Sequence, residues 1–119
     1  MRDDRRRVQD VKEAIEHIER YTAGGEKAFY QNELVQVWVI HHLTIIGEAV
    51  RGLSQEFREK HRQVPWSKII GLRNILVHNY FNIDTERVWL IISKDIPELK
   101  TNIERIDPEQ VNTREHDND

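Results

Sequence analysis

The chain has no cysteine in its 119 residues, which removes disulfides, thiolate nucleophiles and the usual zinc frameworks. Three prolines and five glycines are too few for a sandwich or barrel that turns every ~10 residues. No apolar run reaches the ~20 residues of a membrane span, and the opening stretch MRDDRRRVQD contains nothing that could serve as a signal peptide. Hydrophobic residues are scarce at 38% and charged ones plentiful at 33%, a balance that suits an elongated helical domain with much solvated surface. Two domains would each fall near the lower limit of independent stability. The expectation is therefore one soluble, cytoplasmic domain.

The net charge of −3 argues against a general nucleic-acid coat, but the charge is uneven. Residues 51–80 carry six Lys and Arg against two Glu, a local +4, which leaves −7 for the rest of the chain. Residues 107–119 alone account for −4 of that. A basic region on an acidic chain fits a defined polyanion site, although a solvated face is the plainer reading of any one charge run.

Helical periodicity organises most of the sequence. Val8, Val11, Ile15, Ile18 and Thr22 recur at steps of three and four, giving a helix from about Asp3 to Ala23 that Gly24-Gly25 stops. Glu16 and Arg20 are spaced as an i,i+4 pair on it. A short helical piece near Lys27–Tyr30 follows. Asn32 then caps residues 34–50, an apolar run too long for a strand and expected to be the central, most buried helix. Ser54 caps a short polar helix, and Val64-Pro65-Trp66 opens the next with proline near its first turn. Residues 79–83 break the pattern. Asp84 caps a last long helix striped by Val88, Ile92, Ile96, Leu99, Ile103 and Ile106, with a kink expected near Asp95 because of Pro97. The fold class is all-α: an antiparallel bundle of four to five helices over residues 1–106, with an acidic, disordered tail at 107–119.

Metal chemistry finds no support. The six histidines, His17, His41, His42, His61, His78 and His116, form no i,i+4 pair of the zincin type. His41 and His42 diverge by about 100° on a helix. Glu48, an acid in an apolar helix beside Gly47, is expected to be buried and paired with a base such as Arg73.

The informative segment is Gly71-Leu72-Arg73-Asn74-Ile75-Leu76-Val77-His78-Asn79-Tyr80. By residue type alone the polar trio reads first as an Arg and a Tyr with stems on apolar surface plus one core His. The same three also suit chemistry, since Arg neutralises phosphate and His moves protons near neutral pH. Arg73 and Tyr80 lie nearly on one helical face, whereas His78 sits about 140° round from Arg73.

Arg73, His78 and Tyr80 match the R-x4-H-x-Y motif, and the chain resembles the HepT-like toxins of the HEPN class. Flanking words agree in order and spacing over roughly residues 3–106: Ile46-Gly47-Glu48-Ala49, Val64-Pro65-Trp66, Gly71-Leu72-Arg73-Asn74, and Ile83-Asp84 through Val88-Trp89. The resemblance implies a metal-independent endoribonuclease toxin with no cofactor, catalytic Arg73 and His78, and Asn74 and Glu48 in support. It implies a homodimer acting on RNA such as tRNA or mRNA. It also implies a minimal nucleotidyltransferase antitoxin, which adenylylates Tyr80 to O-AMP-tyrosine and joins the toxin in a larger hetero-oligomer. The alternative is a non-catalytic helical subunit that binds a nucleotide or scaffolds a nucleotidyltransferase.

Overall fold

The computed structural model describes residues 2–78 and 84–106, with the backbone alone for residue 2 and residues 73–78. The chain is all-α, in the order α1 (Arg2–Tyr21), α2 (Glu26–Tyr30), α3 (Glu33–Arg51), α4 (Gln55–Lys60), α5 (Trp66–His78), α6 (Thr85–Leu90), a π-helical turn (Ile91–Asp95) and α7 (Ile96–Arg105). The molecule is elongated, 50 × 26 × 21 Å. No described helix is long and apolar enough to cross a membrane. The expected break at 79–83 and the acidic tail at 107–119 lie outside the described residues.

Burial follows the stripes. On α1, Val8, Val11, Ile15 and Ile18 are all buried, and the Thr22 hydroxyl donates to the Ile18 carbonyl at 2.7 Å to close the helix end. Gly25 then turns the chain at φ 90°, a left-handed conformation that glycine adopts without a Cβ clash. Helix α3 lies between α1 and α5, while α7 returns against α1. The expected pairing of Glu16 with Arg20 is not among the described ion pairs; instead Glu19 accepts from Lys100 at 2.8 Å and links α1 to α7.

Three helix starts fall where the sequence puts them. Asn32 accepts from the Val35 N–H and Ser54 from the Phe57 N–H, each at 3.1 Å; Asp84 accepts from the Arg87 N–H, also at 3.1 Å. Each satisfies a donor that the first helical turn leaves without a partner. Buried Gln36 reaches back from α3, its amide donating to the carbonyls of Phe29 at 2.9 Å and Tyr30 at 3.2 Å, and so ties down the end of α2.

The last helix is interrupted where Pro97 made a kink expected, and the interruption is the π-helical turn Ile91–Asp95. There the Ile96 N–H donates to the Ile91 carbonyl, five residues back. Pro97 has no N–H for the Ser93 carbonyl, and its ring would crowd that oxygen in a regular α-helix. Widening the turn answers both.

One buried contact spans fifty residues. Asp4 is 4% exposed, and its carboxylate accepts from the Ser54 N–H at 2.8 Å and the Ser54 hydroxyl at 2.7 Å. It thereby sets the orientation of the residue that caps α4. Removing it leaves the Ser54 N–H without a protein acceptor, so Asp4→Ala should cost about 1.5–3 kcal/mol in urea or thermal unfolding. Asp4→Asn, which keeps one acceptor, should cost less.

Candidate active site

Helix α5 carries the motif. Its first turn is pinned by Trp66, whose indole N–H donates to the carbonyls of Arg58 at 3.1 Å and His61 at 3.0 Å. Val64, Trp66, Ile69 and Leu72 are buried, which fixes the rotational setting of the helix against α3. Arg73, Asn74 and His78 follow on the same element. Because α5 is helical through His78, Arg73 and His78 stand about 7.5 Å apart along the axis and about 140° apart around it. His78 lies about 180° round from buried Ile69. Tyr80 lies outside the described residues.

The burial expected of Glu48 does not hold: the residue is exposed. Its suggested pairing with Arg73 falls on a side chain outside the described set. The physical reason is the setting of α3, which buries Val39, Leu43, Ile46, Gly47 and Val50 toward the interior and leaves its opposite face outward. That outward face is unusually apolar. Leu34 is 83% exposed, Val37 49% and Trp38 42%, with His41 and Glu48 continuing it. A helix apolar on all sides is thus only half covered.

The histidines group differently from the sequence spacing. His42 is buried, and its Nδ1 donates to the Trp38 carbonyl at 2.8 Å. Its ring lies 4.7 Å from His17 of α1 and 4.9 Å from Trp38, and Tyr21 meets Trp38 edge-on at 5.9 Å. Sequence reasoning missed this cluster, although His17/Tyr21 and Trp38/His42 are both i,i+4 pairs of ring residues. His41 is exposed. His61 is buried with its ring 4.5 Å from Phe57. Among the described residues no three His, Asp or Glu converge as a metal site; His116 and the ring of His78 lie outside that set.

A family model described as Ribonuclease HepT-like matches residues 11–106, the span that holds α3, α5 and the motif. Among curated relatives, "Putative RNase MJ1380" of Methanocaldococcus jannaschii is 39% identical over 98 residues, 82% of this chain and 90% of the relative. "Probable ribonuclease HepT" of Thermococcus cleftensis is 35% identical over 100 residues, 83% and 91% of the two chains. "Gamma-glutamylcyclotransferase and putative RNase MJ0434", also from Methanocaldococcus jannaschii, is 40% identical over 100 residues, and there the chain spans only 45% of the relative's length. No solved structure matches the chain.

Two histidines give the fold a pH dependence of known sign. Burial is the main cause that pushes both His42 and His61 below the ordinary imidazole pKa, with neighbouring His17 and His41 adding to the first and Lys60 to the second. The unfolded chain, titrating near 6.5, therefore binds more protons than the folded one just below that pH. This stability is fully present above about pH 6.5 and is lost as pH falls toward the depressed folded values. Thermal midpoints should drop between pH 7.5 and 5.5, and the drop should shrink in His42→Gln and again in the double variant with His61→Gln. An unchanged slope in both would show that neither imidazole is held neutral.

Proposed function

The chain belongs to the HepT-like ribonuclease family, and from that membership we propose that it is a metal-independent endoribonuclease toxin, active as a homodimer and silenced by adenylylation of Tyr80. The observation that carries this reading is the unbroken Arg73-x4-His78-x-Tyr80 motif inside the family-matched segment, with Arg73 and His78 on one helix packed against α3.

Cleavage of RNA without a metal requires a base for the 2′-hydroxyl, an acid for the departing 5′-oxygen and a cation for the phosphorane. One imidazole removes the 2′-proton as O2′ attacks phosphorus. A second protonates the 5′-oxygen as its bond to phosphorus breaks, leaving a 2′,3′-cyclic phosphate and a 5′-hydroxyl. Arg73 holds the phosphate oxygens. A single protomer has one motif histidine, and Arg73 and His78 diverge on α5, so two copies meeting about a two-fold axis supply the complete set.

The outward face of α3 supports that arrangement. Contiguous exposed apolar surface of this kind marks protein contact, and Trp and Tyr are favoured at the centre of such contacts. Because α3 packs against α5, a second copy seated on this face brings the two motif helices toward one cleft. Glu48, on the same face, then stands at the edge of the site as a positioning residue with Asn74.

Tyr80 follows His78 by two residues. An AMP group attached there adds a phosphodiester anion that competes for Arg73 and a nucleoside that blocks substrate entry. The enzyme supplying it is a minimal nucleotidyltransferase antitoxin, bound in a larger complex with the toxin.

His78→Ala and Arg73→Ala should each lower single-turnover cleavage at least 10²-fold, the scale of a lost general acid or base, with activity unaffected by EDTA. An RNA with 2′-deoxyribose at the scissile position should not be cut. Trp38→Glu should convert the dimer to monomer in sedimentation and reduce cleavage in parallel; a fully active monomer would refute the shared site. Tyr80→Phe should still cleave yet escape a co-expressed nucleotidyltransferase, and mass spectrometry should place AMP on Tyr80 of the parent chain. Nucleotide binding with no cleavage at all would favour the scaffolding alternative.

A further inference from the structure

An open groove of about 690 Å³ runs between α4 and the start of α5, lined by Arg58, Arg62 and Lys68, with Pro65 and Trp66 among its apolar walls. The three cations are not equivalent. Lys68 is committed to Asp95 at 3.0 Å, a contact that holds its ammonium more firmly protonated. Arg58 and Arg62 have no carboxylate partner among the described residues, and the buried Nε of Arg58 has no hydrogen-bond acceptor there. Glu59, on the same wall, is occupied by the Gln55 amide at 3.1 Å. On a chain with a net charge of −3, two guanidinium groups lining one groove, with no ion pair among the described residues, suit an external anion.

The chemistry of the groove narrows what that anion is. Trp66 is only 7% exposed and both its hydrogen bonds run to backbone carbonyls, so its ring offers no face for a base to stack on. Gln55, the one side-chain amide in the wall, is already engaged with Glu59. Beside the Glu59 carboxylate and the Ser67 hydroxyl, the groove offers a pair of planar, permanently charged donors above an apolar floor, suited to phosphate oxygens, and contacts to phosphate carry no sequence information. Position adds the second constraint. The groove adjoins the first turn of α5 and His78 is its last described residue, so about 18 Å of helix separates them. That is about five nucleotides at the ~3.4 Å rise of a stacked strand.

We propose that Arg58 and Arg62 form a secondary subsite for the RNA backbone, gripping a phosphodiester about five nucleotides from the scissile bond without reading sequence. The proposal rests on the RNA-cleaving function above.

Binding separates it from cleavage. In the His78→Ala protein, which should hold RNA without cutting it, fluorescence anisotropy with a labelled single-stranded 12-mer should show at least tenfold weaker binding for Arg58→Gln/Arg62→Gln. The slope of log K against log salt should be shallower by about 1.4, two contacts at about 0.7 each. The loss should be equal for oligo-A and oligo-U, equal for the 2′-deoxy 12-mer, and absent for a four-nucleotide strand too short to reach both sites. Arg62→Gln alone, at an exposed position, should give part of the effect with an unchanged melting temperature. Arg105→Gln, on α7, should leave binding within twofold. Affinity and salt slope unchanged in the double variant, while the parent chain cleaves the same 12-mer, would overturn the subsite and leave the function standing. So would a loss confined to one base sequence. Absence of both binding and cleavage in every form would overturn the function itself, and the subsite with it.

Discussion

Helix α3 has to be covered on two sides at once, by the apolar stripe of α1 and by α5, and that demand organises the rest of the molecule. Its interior-facing residues include Val39, Leu43, Ile46 and Val50, each at 0% exposure. Burying four such side chains is worth about 1.5–3 kcal/mol apiece before ordering costs, far more than any exposed ion pair in the structure can offer. Once α3 is in place, α1 has one rotational setting that buries Val8 to Ile18. The position of α5, and with it the backbone positions of Arg73 and His78, follows from the same packing. The backbone that carries the motif is thus set by hydrophobic contacts of the residues preceding it, Trp66, Ile69 and Leu72.

Much of this was legible in the sequence because the signals were local. A cap such as Asn32, Ser54 or Asp84 acts within three residues, and stripes such as Val8–Ile18 repeat within two turns. What was not legible depended on distance. Nothing near Asp4 announces that its partner is Ser54, and nothing near Glu48 states that its side of α3 is the uncovered one. The error over Glu48 has a definite source. A helix apolar all round reads as fully buried, whereas here one side is buried within the chain and the other is turned outward. The site shows the same division: the order Arg-x4-His-x-Tyr is a string that can be matched directly, but the grouping of His17, Tyr21, Trp38 and His42 exists only after two helices have packed.

The described ion pairs and the groove arginines are different residues. Arg6 with Asp10, Lys68 with Asp95 and Lys100 with Glu19 are surface pairs, individually worth little and weakened by salt. They do, however, neutralise one another locally, so the basic patch at Arg58 and Arg62 stands out from its paired surroundings among the described residues. An acidic protein can present a confined basic surface in this way without attracting polyanions over its whole length.

The π-helical turn at Ile91–Asp95 also carries a record of chain length. Val88, Ile92 and Ile96 are separated by two successive steps of four, which in a regular α-helix would rotate the third residue about 80° away from the first. All three are nonetheless buried, because the wide turn absorbs the surplus residue and returns Ile96 through Ile106 to the phase of the core. A homologue lacking one residue here could keep every downstream contact with an ordinary α-turn, but Pro97 would then press on the carbonyl four residues before it. Proline at position 97 therefore depends on the wide turn, whereas the turn's restoration of the helix phase would hold with any residue there.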